Sequence, residues 1–116
     1  MKTFRELIVW QKSMDLVTEI YEETKSFPDE EKFGLTNQIR RASVSIPSNV
    51  AEGFGRKSDG DFARFVSIAI GSNYEVQTQL EIARNVGFLE DNHFIRLIEK
   101  LTEIDKMLKG LKSKLK

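Results

Sequence analysis

Residues 58–87 read SDGDFARFVSIAIGSNYEVQTQLEIARNVG, and the spacing of the apolar side chains in this stretch decides the fold. Phe62, Phe65, Ala69, Ser72, Val76, Gln79 and Ala83 step by three and four, the repeat of one face of an α-helix. Ser58 with Asp61 has the spacing of an N-terminal capping box, and Gly87 is a stop. The spacing therefore predicts a helix over 59–85, about 40 Å long at ~1.5 Å per residue. A helix of that length spans a whole domain of 116 residues, and the other elements must pack along it.

Reading toward the N-terminus, Leu35, Ile39, Ala42, Ile46 and Val50 form the inward face of a second helix over 35–53. Pro47 lies inside it, removes one backbone donor and predicts a kink, with Ser43, Ser45 and Ser48 near the freed carbonyl. Gly53 and Gly55 read as left-handed C-terminal caps. Leu7, Trp10, Met14, Val17, Tyr21 and Thr24 mark the inward face of the first helix, which ends before Phe27-Pro28. Asp29 to Glu31 suit the first turn of a further helical piece, which Gly34 interrupts.

Beyond Gly87, Asp91 or Asn92 reads as the cap of a fourth helix. Its seam is a strict heptad pattern of Phe94, Leu97, Leu101, Ile104, Leu108, Leu111 and Leu115, with Glu99, Lys100, Glu103, Asp105 and Lys106 solvated and a frayed basic tail from Lys109. Four helices with short connections predict an all-α, up-down-up-down antiparallel four-helix bundle with a kinked second helix, a single domain over 1–116.

Eighteen basic residues balance eighteen acidic ones, so no global field pulls the chain toward nucleic acid or acidic membranes. The absence of cysteine removes disulfides, a thiolate nucleophile and thiol metal sites. The apolar run Leu7 to Trp10 is too short for a signal-peptide core or a membrane span, which predicts a cytoplasmic chain with no membrane partner. His93, the single histidine, cannot supply the two Glu-x-x-His pairs of a di-metal bundle and reads as a solvated residue. Metalloprotease, P-loop and nucleophile-elbow spacings are missing, and Ser58 stands where a dinucleotide motif needs its third glycine. No cofactor, metal or catalytic residue is expected, and the chain reads as non-enzymatic.

Local charge is uneven. Residues 32–57 carry net +4 and residues 13–31 net −6. Arg40, Arg41, Arg56 and Lys57, with Arg64, form the candidate nucleic-acid-binding set, and the competing reading is that the two charged faces meet in an oligomer. Arg40 and Arg41 lie about 100° apart on one helix, so at most one points outward. Asn49, Glu52, Ser72, Glu75 and Gln79 sit at or near the seams and read as a buried polar layer that sets register, with Glu52 paired to Arg56 and Glu75 to Arg40 or Arg41 across the bundle. The apolar runs around Ile8 and Trp10 and around Val66 and Ile70 exceed one stripe and suggest an oligomer interface.

The wording of three stretches goes further: VWQKSMDLVTEIYEETKSFP, GLTNQIRRASVSIPSNVAEGFGR and FARFVSIAIGSNYEVQTQLEIARNVGFL. Together they resemble the bacterial four-helix-bundle proteins encoded in intervening sequences of 23S ribosomal RNA genes. That family is similar to the accessory variability proteins of diversity-generating retroelements, which form pentameric barrels and bind nucleic acid and a reverse transcriptase. The resemblance implies a homopentamer without enzyme activity. Carried over by position, it covers Arg40 and Arg41 in QIRRA, Glu52 and Gly53 in AEG, Arg56 in GFGR and Glu75 in NYE. The expected function is an oligomeric binding or scaffold protein for RNA or a nucleic-acid complex; the alternative is a protein–protein adaptor that binds no nucleic acid.

Overall fold

The computed structural model describes residues 2–116. Four helices follow in order: α1 (Ile8–Thr24), α2 (Leu35–Phe54), α3 (Asp59–Asn85) and α4 (Asp91–Ser113). Short 3-10 turns at Phe4–Glu6 and Asp29–Glu31 precede α1 and α2. No strand occurs among the described residues. The result is an antiparallel bundle of 43 × 24 × 20 Å whose long dimension is set by the 27 residues of α3.

Helix boundaries have local causes. Ser58 Oγ accepts the Asp61 amide at 3.1 Å and starts α3. At its far end Gly87 takes φ +86°, Phe88 N–H donates to the Ala83 carbonyl at 2.8 Å and Gly87 N–H to Arg84 at 3.0 Å, a full Schellman closure. Two expected caps are different. Gly55 has φ −78° and Gly53 is buried within α2, so neither is left-handed. Gly53 is required instead by close approach: a Cβ there would lie 2.8 Å from Phe65 Cβ and 2.8 Å from the Phe62 ring. The N-cap of α4 is Glu90 rather than Asp91 or Asn92, and the helix continues through the supposed tail to Ser113, with Leu111 and Leu115 packed against the core.

The core takes Ile39, Ala42, Ile46 and Val50 from α2 and Phe94, Leu97, Leu101, Ile104 and Leu108 from α4, as their spacing predicts. Helix α2 runs unbroken across the buried Pro47. Helix α1 is turned relative to expectation. It buries Val9, Ser13, Leu16, Ile20 and Thr24, while Met14 and Tyr21 are exposed and Trp10 is half-buried. Ser13 and Thr24 tolerate burial because their hydroxyls donate to the Val9 and Ile20 carbonyls, each at 2.7 Å. A polar residue in the true seam and a second apolar stripe beside it pointed the periodicity at the wrong face.

Helix α3 buries Val66, Asn73 and Leu80 in addition to the predicted seam from Phe65 to Ala83, and Phe62, the first seam residue expected, is half-buried. Val66, expected at a subunit interface, is fully buried in the protomer, and Ile70 packs partly against the same core. The polar layer is also composed differently. Ser72 and Gln79 are buried and Asn49 is half-buried, but Glu52 and Glu75 are exposed, Glu52 beside Arg56 as its spacing predicts, because burying a carboxylate costs more than such a loose pair returns. Ser45 and Ser72 hydroxyls meet at 2.8 Å between α2 and α3, and Asn49 donates to Ser45. Asn73, wholly buried, donates from Nδ2 to the Leu101 carbonyl at 2.9 Å and ties α3 to α4.

Helices α1 and α4 are joined by charge. Glu19 pairs with Arg96 and Lys100, and Glu23 with Arg96 at 3.2 Å and His93 Nδ1 at 3.0 Å. His93 and Lys100 are thus held rather than freely solvated, and Glu103 faces Lys12 at 3.2 Å. Part of the acidic face of α1 is satisfied within its own chain.

Two glycine-to-alanine changes should act in opposite directions. At Gly71, where nothing lies within 4 Å of an added Cβ, alanine should raise unfolding free energy by about 0.5–1 kcal/mol through helix propensity. At Gly53 overpacking, typically about 1–3 kcal/mol, should outweigh the same gain and lower the urea midpoint. A Gly53→Ala chain as stable as its parent would show that α2 and α3 can separate freely there.

Candidate nucleic-acid interface

The sharp α2–α3 connection builds one end of the bundle. Phe54 and Phe62 meet edge-on at 6.1 Å across it. Arg56 and Arg64 both lie over the Phe65 ring, at 4.7 and 4.9 Å from its centroid. Stacking on a common ring keeps two guanidinium groups near one another while their donor edges stay open to solvent. Their carboxylate neighbours hold them loosely: Glu52 is 3.6 Å from Arg56 and Asp61 3.9 Å from Arg64, both exposed pairs of small net worth. Lys57 between them is exposed.

The C-terminus of α4 arrives beside this hairpin, where the Lys116 amide donates to Asp59 Oδ2 at 3.2 Å. Residues 105–116 carry five lysines against Asp105 alone. Lys109 pairs with that carboxylate at 3.1 Å, and the Tyr74 hydroxyl and then Asp105 raise its pKa above the ordinary lysine value. The N-terminal segment brings Lys2, Arg5 and Lys12 against Glu6 to the same end. At the opposite end lie residues 19–31, which carry Glu19, Glu22, Glu23, Asp29, Glu30 and Glu31 against Lys25, and residues 81–91, which carry Glu81, Glu90 and Asp91 against Arg84. The antiparallel arrangement thus makes a neutral chain electrically polar along its axis.

Arg40 and Arg41 stand apart from this end. Sixteen residues separate Arg40 from Arg56, about 24 Å along a helix. Arg40 Nε donates to Thr24 Oγ1 at 2.8 Å and its guanidinium lies 4.6 Å from the Tyr21 ring centroid, so it fastens α2 to the last turn of α1. Arg41 is exposed and lines a shallow groove with Gln38, Ala42, Ser45 and Glu75, but no ion pair links it or Arg40 to Glu75. The five predicted residues therefore divide into an end cluster of Arg56, Lys57 and Arg64, one open arginine on the side and one structural arginine. The C-terminal lysines join the end cluster; their spacing along α4 carried the signal, hidden by treating them as a tail.

A family model described as 23S rRNA-intervening sequence protein matches residues 5–110. A crystal structure of a protein of unknown function from the S23 ribosomal protein family of Bacteroides thetaiotaomicron superposes with a TM-score of 0.85. That protein is 26% identical in sequence, over 91% of this chain and 96% of the other. No curated protein matches.

The placement of the two adjacent arginines gives a sharp expectation. Arg40→Ala should cost about 1–3 kcal/mol, the range for losing a charged hydrogen bond and its ring contact. Arg41→Ala should change stability by less than about 0.5 kcal/mol. Thermal unfolding of the two variants side by side checks this, and equal losses would contradict the division of roles.

Proposed function

The chain belongs to the 23S rRNA-intervening sequence protein family, and from that premise we propose that it is a non-enzymatic, self-associating scaffold that binds structured RNA through its basic end. The observation that carries the reading is the convergence of Arg56, Lys57 and Arg64 with Lys112, Lys114 and Lys116 at one end of the bundle. Phosphate binding gains from counterion release, and its strength grows with the number of cations that reach the backbone at once. One protomer offers few such cations. Self-association multiplies them, and five copies is the number the family resemblance suggests testing first. Stacked arginines and flexible lysines suit phosphates and the shape of an RNA helix rather than base edges, so affinity should be largely independent of sequence. A reverse transcriptase or another nucleic-acid enzyme would be a natural client of such a scaffold.

A second reading, a protein–protein adaptor, is favoured by an open apolar groove between α1 and α2 of about 360 Å³.

Gel retardation of a structured RNA at low and raised salt separates the two. The double change Arg56→Glu with Lys57→Glu should weaken retention for every RNA tested and reduce the salt slope by about one for each phosphate that is no longer neutralised, with helicity by circular dichroism unchanged because both sites are exposed. Absence of retardation by the intact protein at low salt would leave the adaptor reading in its place.

A further inference from the structure

The α1/α2 groove is lined by Phe4, Trp10, Met14, Val17, Pro47 and Ala51, with Val44 and Ser48 completing it. Its mouth is shaped by the chain just before α1. A capping box between Thr3 and Glu6 fixes the 3-10 turn, Phe4 stacks edge-on against Trp10 at 5.2 Å, and Arg5 lies 4.7 Å from the Phe4 ring centroid, putting a cation on the rim.

At the other end of the molecule Phe33 is 87% exposed, the most open large apolar side chain among the described residues. It stands on a tight turn, not a loose loop. Gly34 N–H donates to the Glu31 carbonyl at 2.9 Å, and Glu31 Oε1 accepts the Leu35 amide at 3.0 Å. The exposed Asp29 and Glu30 lie just before this turn. An ordered aromatic knob therefore faces outward at one end, with Lys32 Nζ 5.6 Å from its ring centroid and Asp29, Glu30 and Glu31 leaving the segment 29–33 net −2, while an apolar hole with a cationic rim lies toward the other. The knob cannot serve its own hole: Phe33 and Pro47 are fourteen residues apart along a turn and a helix, about 20 Å.

We propose that Phe33 of one copy of this chain inserts into the α1/α2 groove of a second copy, with Asp29 and Glu30 approaching Arg5 at the rim. The proposal rests on the self-association already put forward and supplies its interface. Shape and charge select the same occupant: apart from Ser48 the groove is lined by apolar side chains, which suit an aromatic ring better than a hydrophilic segment, and the acidic residues complement the cationic rim. Because each copy carries knob and hole at different places, the contact is either exchanged reciprocally by two copies or passed from copy to copy around a closed ring. The side position of the groove leaves Arg56, Lys57 and Arg64 open to nucleic acid.

Light scattering on the intact chain, on Phe33→Ser and on Met14→Glu tests it; both substituted residues are exposed, so helicity should persist. The parent should run at a multiple of 13.4 kDa, and each variant should fall to 13.4 kDa at the same concentration. The parent chain has no cysteine, so a mixture of Phe33→Cys and Ser48→Cys chains should form an intermolecular disulfide that requires Cα atoms to approach within about 7 Å. Variants that keep the parent's mass, or an oligomer that yields no mixed disulfide, would overturn the knob-and-groove contact and leave self-association standing. A parent at 13.4 kDa would overturn both.

Discussion

The bundle depends on how closely α2 and α3 approach one another at their joined end. Gly53 leaves the space in which Phe62 and Phe65 sit, and a single methyl group there would fall within 2.8 Å of both. With the backbones this near, the connection needs only Gly55 to Ser58, and Phe65 is placed where Arg56 and Arg64 can both lie on its ring. Farther along the same pair, Ala42 and Ala69 are buried and the Ser45 and Ser72 hydroxyls touch at 2.8 Å, so small residues sustain the approach. Steric room, more than any attraction, positions the basic end.

Register along the other seams is set by a few groups that would be costly to leave unpaired. Asn73 has no exposed surface and must keep its bond to Leu101; sliding α4 by one residue would strand a buried amide. Arg40 does comparable work for α1, where it meets both Thr24 and Tyr21. The Glu19–Glu23 pair, gripped by His93, Arg96 and Lys100, adds a charged clasp between α1 and α4. These ties surround an otherwise apolar interior of leucine, isoleucine and valine, whose packing tolerates several alignments more readily than its hydrogen bonds do.

Antiparallel order has an electrical consequence. Zero net charge describes the chain, but the fold collects lysines and arginines from three separate segments at one end and most of the acidic clusters at the other. A phosphate or a second protein surface encounters the local field, screened over about 8–10 Å, rather than the sum. Some of the acidic face is already neutralised inside the protomer through Glu19 and Glu23, while Asp15, Asp29 and Glu30 stay exposed.

The sequence by itself determined the four helices, their order, the Ser58 and Gly87 boundaries and the inward faces of α2 and α4, because helical periodicity and turn chemistry are local properties. It misjudged the α1 face, since Ser13 lies in the true seam and Trp10 and Met14 form a second apolar stripe that periodicity cannot rank. Only the tertiary structure decided that Val66 is interior, that Glu52 and Glu75 stay in water, and that Arg40 ties helices while Arg41 stays open. It alone joined the lysines of α4 to the arginines of the α2–α3 turn. Those outcomes depend on which residues distant in the chain meet one another, and spacing along a single helix carries no information about what stands opposite.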